Sequence, residues 1–207
     1  MSAAGRVRGS PRIPPSWLGD RSLPLRRMSR KWYRCAVRER PLVEWDCRAT
    51  SRFSGPGLPF SSLYLAEDPA TAFWECFGDD LLDRATSERA VSSAAFASRE
   101  IVEFLLPAAW RFLDATSATV QRAIGADGST FRSGYSVTQA WAKALMEHRS
   151  SPWGLLYESR LNDGRKCLAL FGRPGLQPDI QARVLHPLSD DTAVLEAMFR
   201  NRVAILP

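Results

Sequence analysis

A glutamate inside an apolar helix is the first residue in this sequence that could do chemistry. Residues 61–78, "SSLYLAEDPATAFWECFG", predict a short strand, a sharp stop and a helix that carries Glu75 between Trp74 and Cys76. One residue turns about 100° around a helix, so Glu75 is expected at the edge of the face that Cys76 helps to bury. A carboxylate there either makes an ion pair at the helix surface or acts as a charged group where water is partly excluded. Spacing by itself favours the ion pair.

Four other residues could join such a site, although each has a simpler interpretation. Arg34 interrupts the apolar strand "WYRCAV", where alternation favours a solvent-facing side chain over one that lines a cleft. Arg52 lies in a loop rich in Gly and Pro, where an ordinary surface charge is expected. Tyr64 faces the opposite side of its strand from the two leucines beside it. Ser159 ends a strand, where site residues often lie, but a serine there is commonly a turn former.

Several familiar kinds of site are not indicated by the sequence. No G-x-S-x-G, G-x-G-x-x-G or Walker loop is present, and the two histidines, His148 and His186, have no sequence partners. None of the cysteines forms a C-x-x-C pair, so we expect no metal site and reduced thiols; they are Cys35, Cys47, Cys76 and Cys167.

The elements that position these residues predict an α+β fold. Asp68 can cap the helix that carries Glu75, Pro69 fits its first position, and Gly78 is expected to end it. Strands are predicted at 32–37, 62–66, 100–106, 110–114, 153–159 and 166–172, with a last strand at "RVAIL". Further helices are predicted at 116–124, at 136–148 with Ser136 as its cap, and at about 190–199. Many short strands and few helices indicate a single domain with a mixed or antiparallel sheet.

The net charge of +6 is concentrated at the N-terminus. Residues 1–31 contain eight basic residues and one acidic residue, so the rest of the chain is close to neutral. A broad phosphate-binding face is therefore not indicated, and we expect no direct nucleic-acid binding. Prolines in the segment disfavour a transit-type helix, which predicts a disordered basic tail at 1–30 before a domain at 31–207. The alternative is that the natural chain starts at Met28.

Mean hydropathy is −0.22 and no long apolar stretch occurs, which predicts a soluble protein without a membrane span. No apolar segment follows the Arg26-Arg27 pair, so export is not indicated. We therefore expect a cytoplasmic location.

The order of the motifs resembles the RES-domain family. "WYR" is followed by "SRFSGPGLPFSSLYLAEDPATAFWECFG", then by "GLLYESR" and "KCLALF", and the resemblance spans about residues 32–172. Members of that family keep Arg, Glu and Ser residues, and the better-known ones are NAD⁺-consuming toxins of bacterial toxin–antitoxin pairs. Their fold is similar to that of ADP-ribosyltransferase toxins. Two positions depart from the family pattern: Ser51 stands where Gly is usual, and Phe53-Ser54 where Trp-Asn is usual.

The resemblance implies a site for NAD⁺ as substrate, with no cofactor. Glu75, Arg34 and Ser159 would be catalytic, and Arg34, Arg52, Tyr64 and Ser159 would bind the dinucleotide. The nicotinamide already carries positive charge and leaves neutral, so one carboxylate that stabilises the developing charge on the ribose can suffice. Arginine forks suit the pyrophosphate, and Tyr64 could contact the nicotinamide.

Three functions remain open on this basis. The leading prediction is a toxin that cleaves the nicotinamide–ribose bond of NAD⁺ by hydrolysis or phosphorolysis and that has a cognate antitoxin protein as partner. The second is an ADP-ribosyltransferase that modifies a protein target. The third is a binding domain whose catalytic site has decayed.

Overall fold

The computed structural model describes residues 12–28, 31–45, 51–55, 57–82, 89–173 and 179–207. Within these ranges the strands are β1 (Leu25–Arg27), β2 (Trp32–Val37), β3 (Ser61–Ala66), β4 (Arg89–Ser92), β5 (Arg99–Leu105), β6 (Arg111–Asp114), β7 (Gly154–Glu158), β8 (Lys166–Gly172), β9 (Gln181–Pro187) and β10 (Val203–Leu206). The helices are α1 (Pro69–Leu82), α2 (Ser93–Ala97), α3 (Ala118–Ile124), α4 (Tyr135–Met146) and α5 (Thr192–Arg200). Short 3₁₀ helices cover Ser16–Asp20, Thr130–Arg132 and Leu188–Asp190.

One large mixed sheet organises the molecule. Its strand order is β1-β6-β7-β8-β3-β2-β5-β9, and β10 and β4 form a separate parallel pair. Only β6 and β7 run parallel in the large sheet, whereas its other described neighbours are antiparallel. This arrangement confirms the α+β fold with a mixed sheet that the sequence predicts.

The sheet is weakly joined between β2 and β3. Tyr33 pairs with Ala66, and this is the one residue pair between these two fully described strands. In contrast, β2 pairs with β5 along its full length and β3 pairs with β8 along its full length. The sheet therefore opens between the C-terminal half of β2 and the start of β3. Helix α1 packs against both strands.

The two faces of the sheet are covered differently. The larger core includes residues from all the helices described, with Phe73, Phe96, Ile124, Trp141 and Met198 as examples. The opposite face has a smaller core of strand side chains that is covered by partly buried loop residues. Alternation along each strand assigns successive side chains to these two faces.

The start and length of α1 explain the position of Glu75. Asp68 caps the helix, because its carboxylate accepts the backbone N–H of Thr71 at 2.8 Å. The prediction that Gly78 ends the helix is wrong, since α1 continues to Leu82. A Cβ on Gly78 would lie 3.0 Å from the Leu161 side chain. The glycine therefore allows the loop after β7 to approach α1 closely.

The prediction of a disordered tail at 1–30 is wrong for residues 12–28. Leu18 and Leu23 are buried in the larger core, and β1 pairs with β6. The Trp141 indole N–H donates to the Arg12 carbonyl at 2.6 Å, which ties the segment to α4. The prediction relied on the basic charge and the prolines of this segment and overlooked the two leucines that pack into the core. Residues 1–11 and 29–30 lie outside the described residues.

Other predicted boundaries differ in smaller ways. Helix α4 begins at Tyr135 after Gly134, so Ser136 is inside the helix and is not its cap. The strands predicted at 100–106 and 110–114 are β5 and β6, which follow each other along the chain but lie apart in the sheet. Strands β1, β4 and β9 and helix α2 were not predicted. Among the helices described, none is long and apolar enough to cross a membrane.

Candidate functional site

Glu75 accepts a hydrogen bond from a neutral group. The Ser159 hydroxyl donates to its Oε1 at 2.5 Å, and the Glu75 carboxylate helps to raise the pKa of the Cys167 thiol. No lysine, arginine or histidine within the described ranges makes an ion pair with it. The ion pair that spacing favours is therefore not formed there. Neutral donors orient a carboxylate and leave its negative charge uncompensated.

Ser159 orients Glu75. The side chain is 1% exposed, and its oxygen accepts the backbone N–H groups of Leu161 and Asn162 at 3.1 and 3.0 Å. Its single proton is directed at Glu75. The Asn162 side chain donates to the Thr71 hydroxyl at 2.9 Å, which fastens the same loop to the first turn of α1. The loop after β7 is therefore fixed to α1, and the hydrogen bond from Ser159 gives the Glu75 carboxylate a defined orientation.

Tyr157 and Cys167 lie behind the carboxylate on neighbouring strands, where they form a residue pair between β7 and β8. Burial raises the pKa of the Tyr157 hydroxyl well above its ordinary value, and the Glu75 charge raises it further. Burial likewise raises the pKa of the Cys167 thiol, again with a contribution from Glu75. Both groups stay protonated at neutral pH. The negative charge in this cluster therefore resides on Glu75.

Arg52 supplies a buried cation to the same cluster. The residue is 8% exposed, and its guanidinium carbon lies 5.0 Å from the centre of the Tyr157 ring and 5.8 Å from that of Phe53. Its Nη1 is buried and has no hydrogen-bond partner among the described residues. A buried guanidinium nitrogen without a partner is costly for a folded protein, so it indicates a place where an anionic ligand could bind.

The backbone of the Arg52 loop is fixed by α4. The Thr138 hydroxyl donates to the Arg52 carbonyl at 2.6 Å. The Gln139 amide donates to the carbonyls of Ser51 and Ser54 at 2.8 and 3.0 Å. These bonds fix the position of the Arg52 loop relative to α4. They hold the arginine in place without using its guanidinium.

Tyr64 supports this loop from β3. Its hydroxyl accepts the backbone N–H of Phe53 at 2.9 Å, and its ring is stacked on that of Phe53 with the centroids 6.4 Å apart. The side chain is half-buried, as alternation on β3 predicts for the face away from the two leucines. The residue is thus next to Arg52 and still partly open to solvent.

The structure brings Arg52, Tyr64, Glu75 and Ser159 together. The charges of Arg52 and Glu75 and the Tyr64 hydroxyl all act on the Tyr157 hydroxyl, and Ser159 is bonded to Glu75. These residues come from one loop, from β3, from α1 and from the end of β7. Only the folded sheet makes them neighbours.

Arg34 is placed differently. Its neighbours at alternate positions, Trp32 and Ala36, belong to the smaller core, so alternation assigns Arg34 to the face opposite α1. Its guanidinium donates to the Glu44 carbonyl at 2.8 Å and lies 3.6 Å from the Glu44 carboxylate. Its charge nevertheless acts on Cys76, the residue after Glu75. Arg34 follows Tyr33 at the opening between β2 and β3, but alternation places its side chain on the sheet face opposite the helix that carries Glu75.

Four residues of this arrangement were missing from the predicted site. Tyr157 has a signal in the sequence, because it lies two positions before Ser159 and must share its face on a strand. Cys167 could be found only from the register of β7 and β8. Thr138 and Gln139 act through backbone carbonyls far away in the sequence, and no local pattern indicates such contacts.

Comparison with known proteins agrees with this arrangement at the level of the family. The family model described as RES domain matches residues 24–191, which is most of the chain. No curated protein matches the chain. The match includes every element that supplies a side chain to the cluster around Tyr157.

Proposed function

The chain belongs to the RES domain family, whose domains are associated with toxin–antitoxin systems and with NAD-utilising enzymes, and we propose that it cleaves the nicotinamide–ribose bond of NAD⁺. The observation that carries the proposal is a pair of groups around Tyr157: the Glu75 carboxylate, which no cation in the described ranges pairs with, and the buried Arg52 Nη1, which has no hydrogen-bond partner there. The carboxylate can stabilise the positive charge that develops on the ribose, and the guanidinium can bind the negatively charged pyrophosphate. The same pair has no evident role in stabilising the fold.

In the proposed reaction, the bond between the ribose C1′ and the nicotinamide nitrogen breaks with its electron pair going to nicotinamide. The leaving group becomes neutral, so no general acid is required, and positive charge builds on the ribose. Glu75 stabilises that charge and orients the attacking water or phosphate. Ser159 keeps the carboxylate oriented, because its hydrogen bond to Glu75 is already formed before the substrate arrives.

Arg52 is the proposed first contact of the pyrophosphate. Its Nη1 can donate to a phosphate oxygen without breaking any hydrogen bond among the described residues. Arg34 is proposed as the second contact, and it has to exchange Glu44 for phosphate to act in this way. Tyr64 is proposed to lie against the nicotinamide, since its ring is half-buried next to Arg52.

The direct test is to incubate the purified full chain with NAD⁺ and identify the products by chromatography and mass spectrometry. We expect free nicotinamide, together with ADP-ribose when water is the acceptor or its phosphorylated form when phosphate is added. Glu75→Gln should lower the rate by about 100-fold or more, as expected for the loss of one strong transition-state contact. Glu196→Gln is the matched control, because Glu196 is also a helical glutamate but lies exposed on α5 beside Arg200.

The outcomes separate the three candidate functions. Nicotinamide release at the parental rate by a folded Glu75→Gln protein would disprove the assignment of Glu75. ADP-ribose attached to a protein, in place of free ADP-ribose, would support the transferase. A chain that fails to bind NAD⁺ in calorimetry would support the decayed binding domain.

The proposal includes a cytoplasmic location and a cognate antitoxin that blocks the site. Induced expression of the full chain should lower cellular NAD⁺ and stop growth, and expression of Glu75→Gln should do neither. Co-expression of the antitoxin should restore growth and keep NAD⁺ at its ordinary level. Growth arrest by the Glu75→Gln protein at an equal level would contradict this part of the proposal.

A further inference from the structure

Helix α5 exposes apolar side chains on the face that is turned away from the core. Its inner face is buried through Val194, Ala197 and Met198. On its outer face, Phe199 is 86% exposed and Leu195 is also exposed. The outer face of a surface helix is normally polar, and an exposed phenylalanine gains none of the free energy that its burial would supply. The outer face of α5 is therefore a candidate interaction surface.

Exposed apolar residues are concentrated in this part of the protein. Strand β10 packs against α5 and exposes Ile205 and Leu206. Together with Leu195 and Phe199, they make up half of the large apolar side chains that are exposed in the described ranges. The other half lies elsewhere in the chain: Ile13, Trp17, Leu105 and Val184. Single exposed apolar residues are normal for a protein surface, whereas such a concentration marks an interaction site.

The charges on α5 follow the same spacing as its apolar residues. Leu195 and Phe199 are four residues apart, so they lie one above the other along the helix. Glu196 and Arg200 are also four residues apart, and their carboxylate and guanidinium lie 3.7 Å apart. One residue turns about 100° around the axis, so both charges flank the apolar pair on the same side. The acidic residue is nearer the start of the helix and the basic residue is nearer its end.

We propose that the outer face of α5 binds a second copy of this chain, with the two α5 helices antiparallel about a two-fold axis. Leu195 then packs against Phe199 of the partner subunit, and the symmetry repeats this contact. A two-fold axis perpendicular to both helices reverses their direction and keeps each flank on its own side. Glu196 is therefore opposite Arg200 of the partner subunit. This proposal does not depend on the proposed function.

The order of the charges selects this partner and this orientation. A parallel pair of α5 helices would place Glu196 opposite Glu196 of the partner subunit, and like charges oppose association. Beyond the apolar pair, exposed Asp190 precedes α5 and exposed Arg202 follows it, so an antiparallel pair brings acidic and basic ends together twice. The helix dipole favours the same order of charges, but it gives no reason to expose Phe199. Exposed ion pairs are weak, so the apolar contact supplies the affinity and the charges fix the orientation.

The first experiment measures the mass of the purified full chain in solution. A helix of nine residues offers a small contact, so the dimer should be weak and dependent on concentration. Sedimentation is followed from about 1 μM to about 100 μM chain, a range that suits such an interface. We expect the average mass to rise from 23.1 kDa towards twice that value. A constant mass would overturn the proposal, and loss of antitoxin binding in Phe199→Asp would then assign the surface to that partner.

A substitution at the centre of the contact tests the surface. Phe199→Asp should raise the dissociation constant of the dimer by about 10-fold or more, as expected for a central aromatic side chain. The fold should persist because Phe199 is exposed, and circular dichroism with thermal unfolding checks this. Ile13→Asp is the matched control, since Ile13 is also exposed but lies on the segment that is tied to α4. It should dimerise like the parent. An unchanged dissociation constant for Phe199→Asp would overturn the proposal.

Charge exchange tests the antiparallel orientation. Glu196→Arg gives each helix two arginines on its flank and Arg200→Glu gives each helix two glutamates, so either variant alone should associate more weakly than the parent. An equimolar mixture places arginines opposite glutamates, and native mass spectrometry should detect mainly mixed dimers. The double variant Glu196→Arg/Arg200→Glu should dimerise like the parent, because each charge again meets its opposite. A random distribution of dimers in the mixture would overturn this orientation.

Discussion

A buried glutamate, Glu103, and a half-buried one, Glu75, show opposite ways of holding a carboxylate in this protein. Glu103 on β5 is 3% exposed and is surrounded by cations: Lys31 lies at 3.0 Å, and Arg183 donates twice at 2.9 and 2.8 Å. Glu75 on α1 is held instead by the hydroxyl of Ser159 at 2.5 Å. The charge of Glu103 is neutralised by cations of the protein itself. The carboxylate of Glu75 is oriented without being neutralised.

The pKa of Glu103 shows what neutralisation does. Burial alone would raise this pKa, but hydrogen bonds from Lys31 and Arg183, together with their charges, hold it below the ordinary value. Such a carboxylate stabilises the fold at neutral pH and has no capacity left for a ligand. The arrangement at Glu75 leaves both its charge and the nearby Arg52 nitrogen available. We therefore expect substitutions at the two glutamates to separate activity from stability.

The largest expected difference between the two glutamates is in activity. Glu75→Gln should lower NAD⁺ cleavage by about 100-fold or more, whereas Glu103→Gln should leave the rate of the folded fraction within about 2-fold. The measurement is nicotinamide release by both proteins at equal folded concentration. Equal losses in the two variants would show that the charge on Glu75 has no special role.

Arg52 should affect binding more than the reaction step. Arg52→Lys keeps the charge but removes the planar fork, so KM for NAD⁺ should rise about 10-fold, in line with the loss of one charge-assisted hydrogen bond. Initial rates over a range of NAD⁺ concentrations give the measurement. Arg183→Lys is the control, because Arg183 is also an arginine but is exposed and paired with Glu103, outside the proposed site. An unchanged KM for Arg52→Lys would remove Arg52 from the proposed site.

In stability, the substitution at Glu103 should have the larger effect and the substitution at Glu75 the smaller one. Glu103→Gln leaves Lys31 and Arg183 without their carboxylate and should lower the free energy of unfolding by about 2 kcal/mol, a moderate value because both cations are half-exposed. Glu75→Gln removes a half-buried charge that no cation in the described ranges pairs with, and it should change the free energy of unfolding by less than about 1 kcal/mol. Urea titrations of both variants provide the comparison. A larger loss at Glu75 would assign that residue a structural role.

The tether between α4 and the Arg52 loop should have a smaller effect. Gln139→Ala removes two hydrogen bonds to the loop carbonyls and should cost about 1–2 kcal/mol of stability, with a rise in KM for NAD⁺ as the arginine loses its fixed position. Gln121→Ala is the control, since Gln121 makes one similar bond to the Ala115 carbonyl. That variant should lose stability with KM unchanged. A similar KM in both variants would contradict the role of the tether.

The smallest effect is in the acid dependence of stability. Because folding lowers the pKa of Glu103, its contribution is present at neutral pH and disappears as pH falls below the ordinary value of 4.5 and through the lowered one. The difference in unfolding free energy between the parent and Glu103→Gln should therefore shrink in acid. Urea titrations at neutral pH and below pH 4.5 measure it. A difference that grows in acid would reverse the sign assigned to Glu103.

Local sequence patterns predicted the elements that carry the site. Alternating and continuous apolar runs gave β2, β3, β7 and β8 within about one residue, because a strand buried in a sheet is apolar wherever it packs. Asp68 and Pro69 gave the start of α1 for a similarly local reason, which is the need to satisfy free backbone N–H groups. The extent of α1 could not be predicted, since the reason for Gly78 is a side chain from the loop after β7.

The sequence predicted which residues belong to the candidate site, but it did not predict how their side chains are arranged. The motif order indicated Arg34, Arg52, Tyr64, Glu75 and Ser159, and it also indicated the family that the comparison confirms. Alternation on β2 favoured a solvent-facing Arg34, whereas the side chain is 21% exposed and is bonded to Glu44 on the face opposite α1. Whether Glu75 makes an ion pair or a hydrogen bond depends on which strand end lies beside α1, and no local pattern contains that information.

The sequence by itself determined the strands β2, β3, β7 and β8, the start of α1, the residue types available for the candidate site and the family to which the chain belongs. The tertiary structure alone decided that Ser159 orients Glu75, that the Arg52 guanidinium lies over the Tyr157 ring, and that Leu18 and Leu23 pack into the core. The physical reason is the distance along the chain over which each effect acts. Propensity, alternation and capping act over a few residues, whereas the charge state and orientation of a buried side chain depend on partners that only the packed sheet brings near.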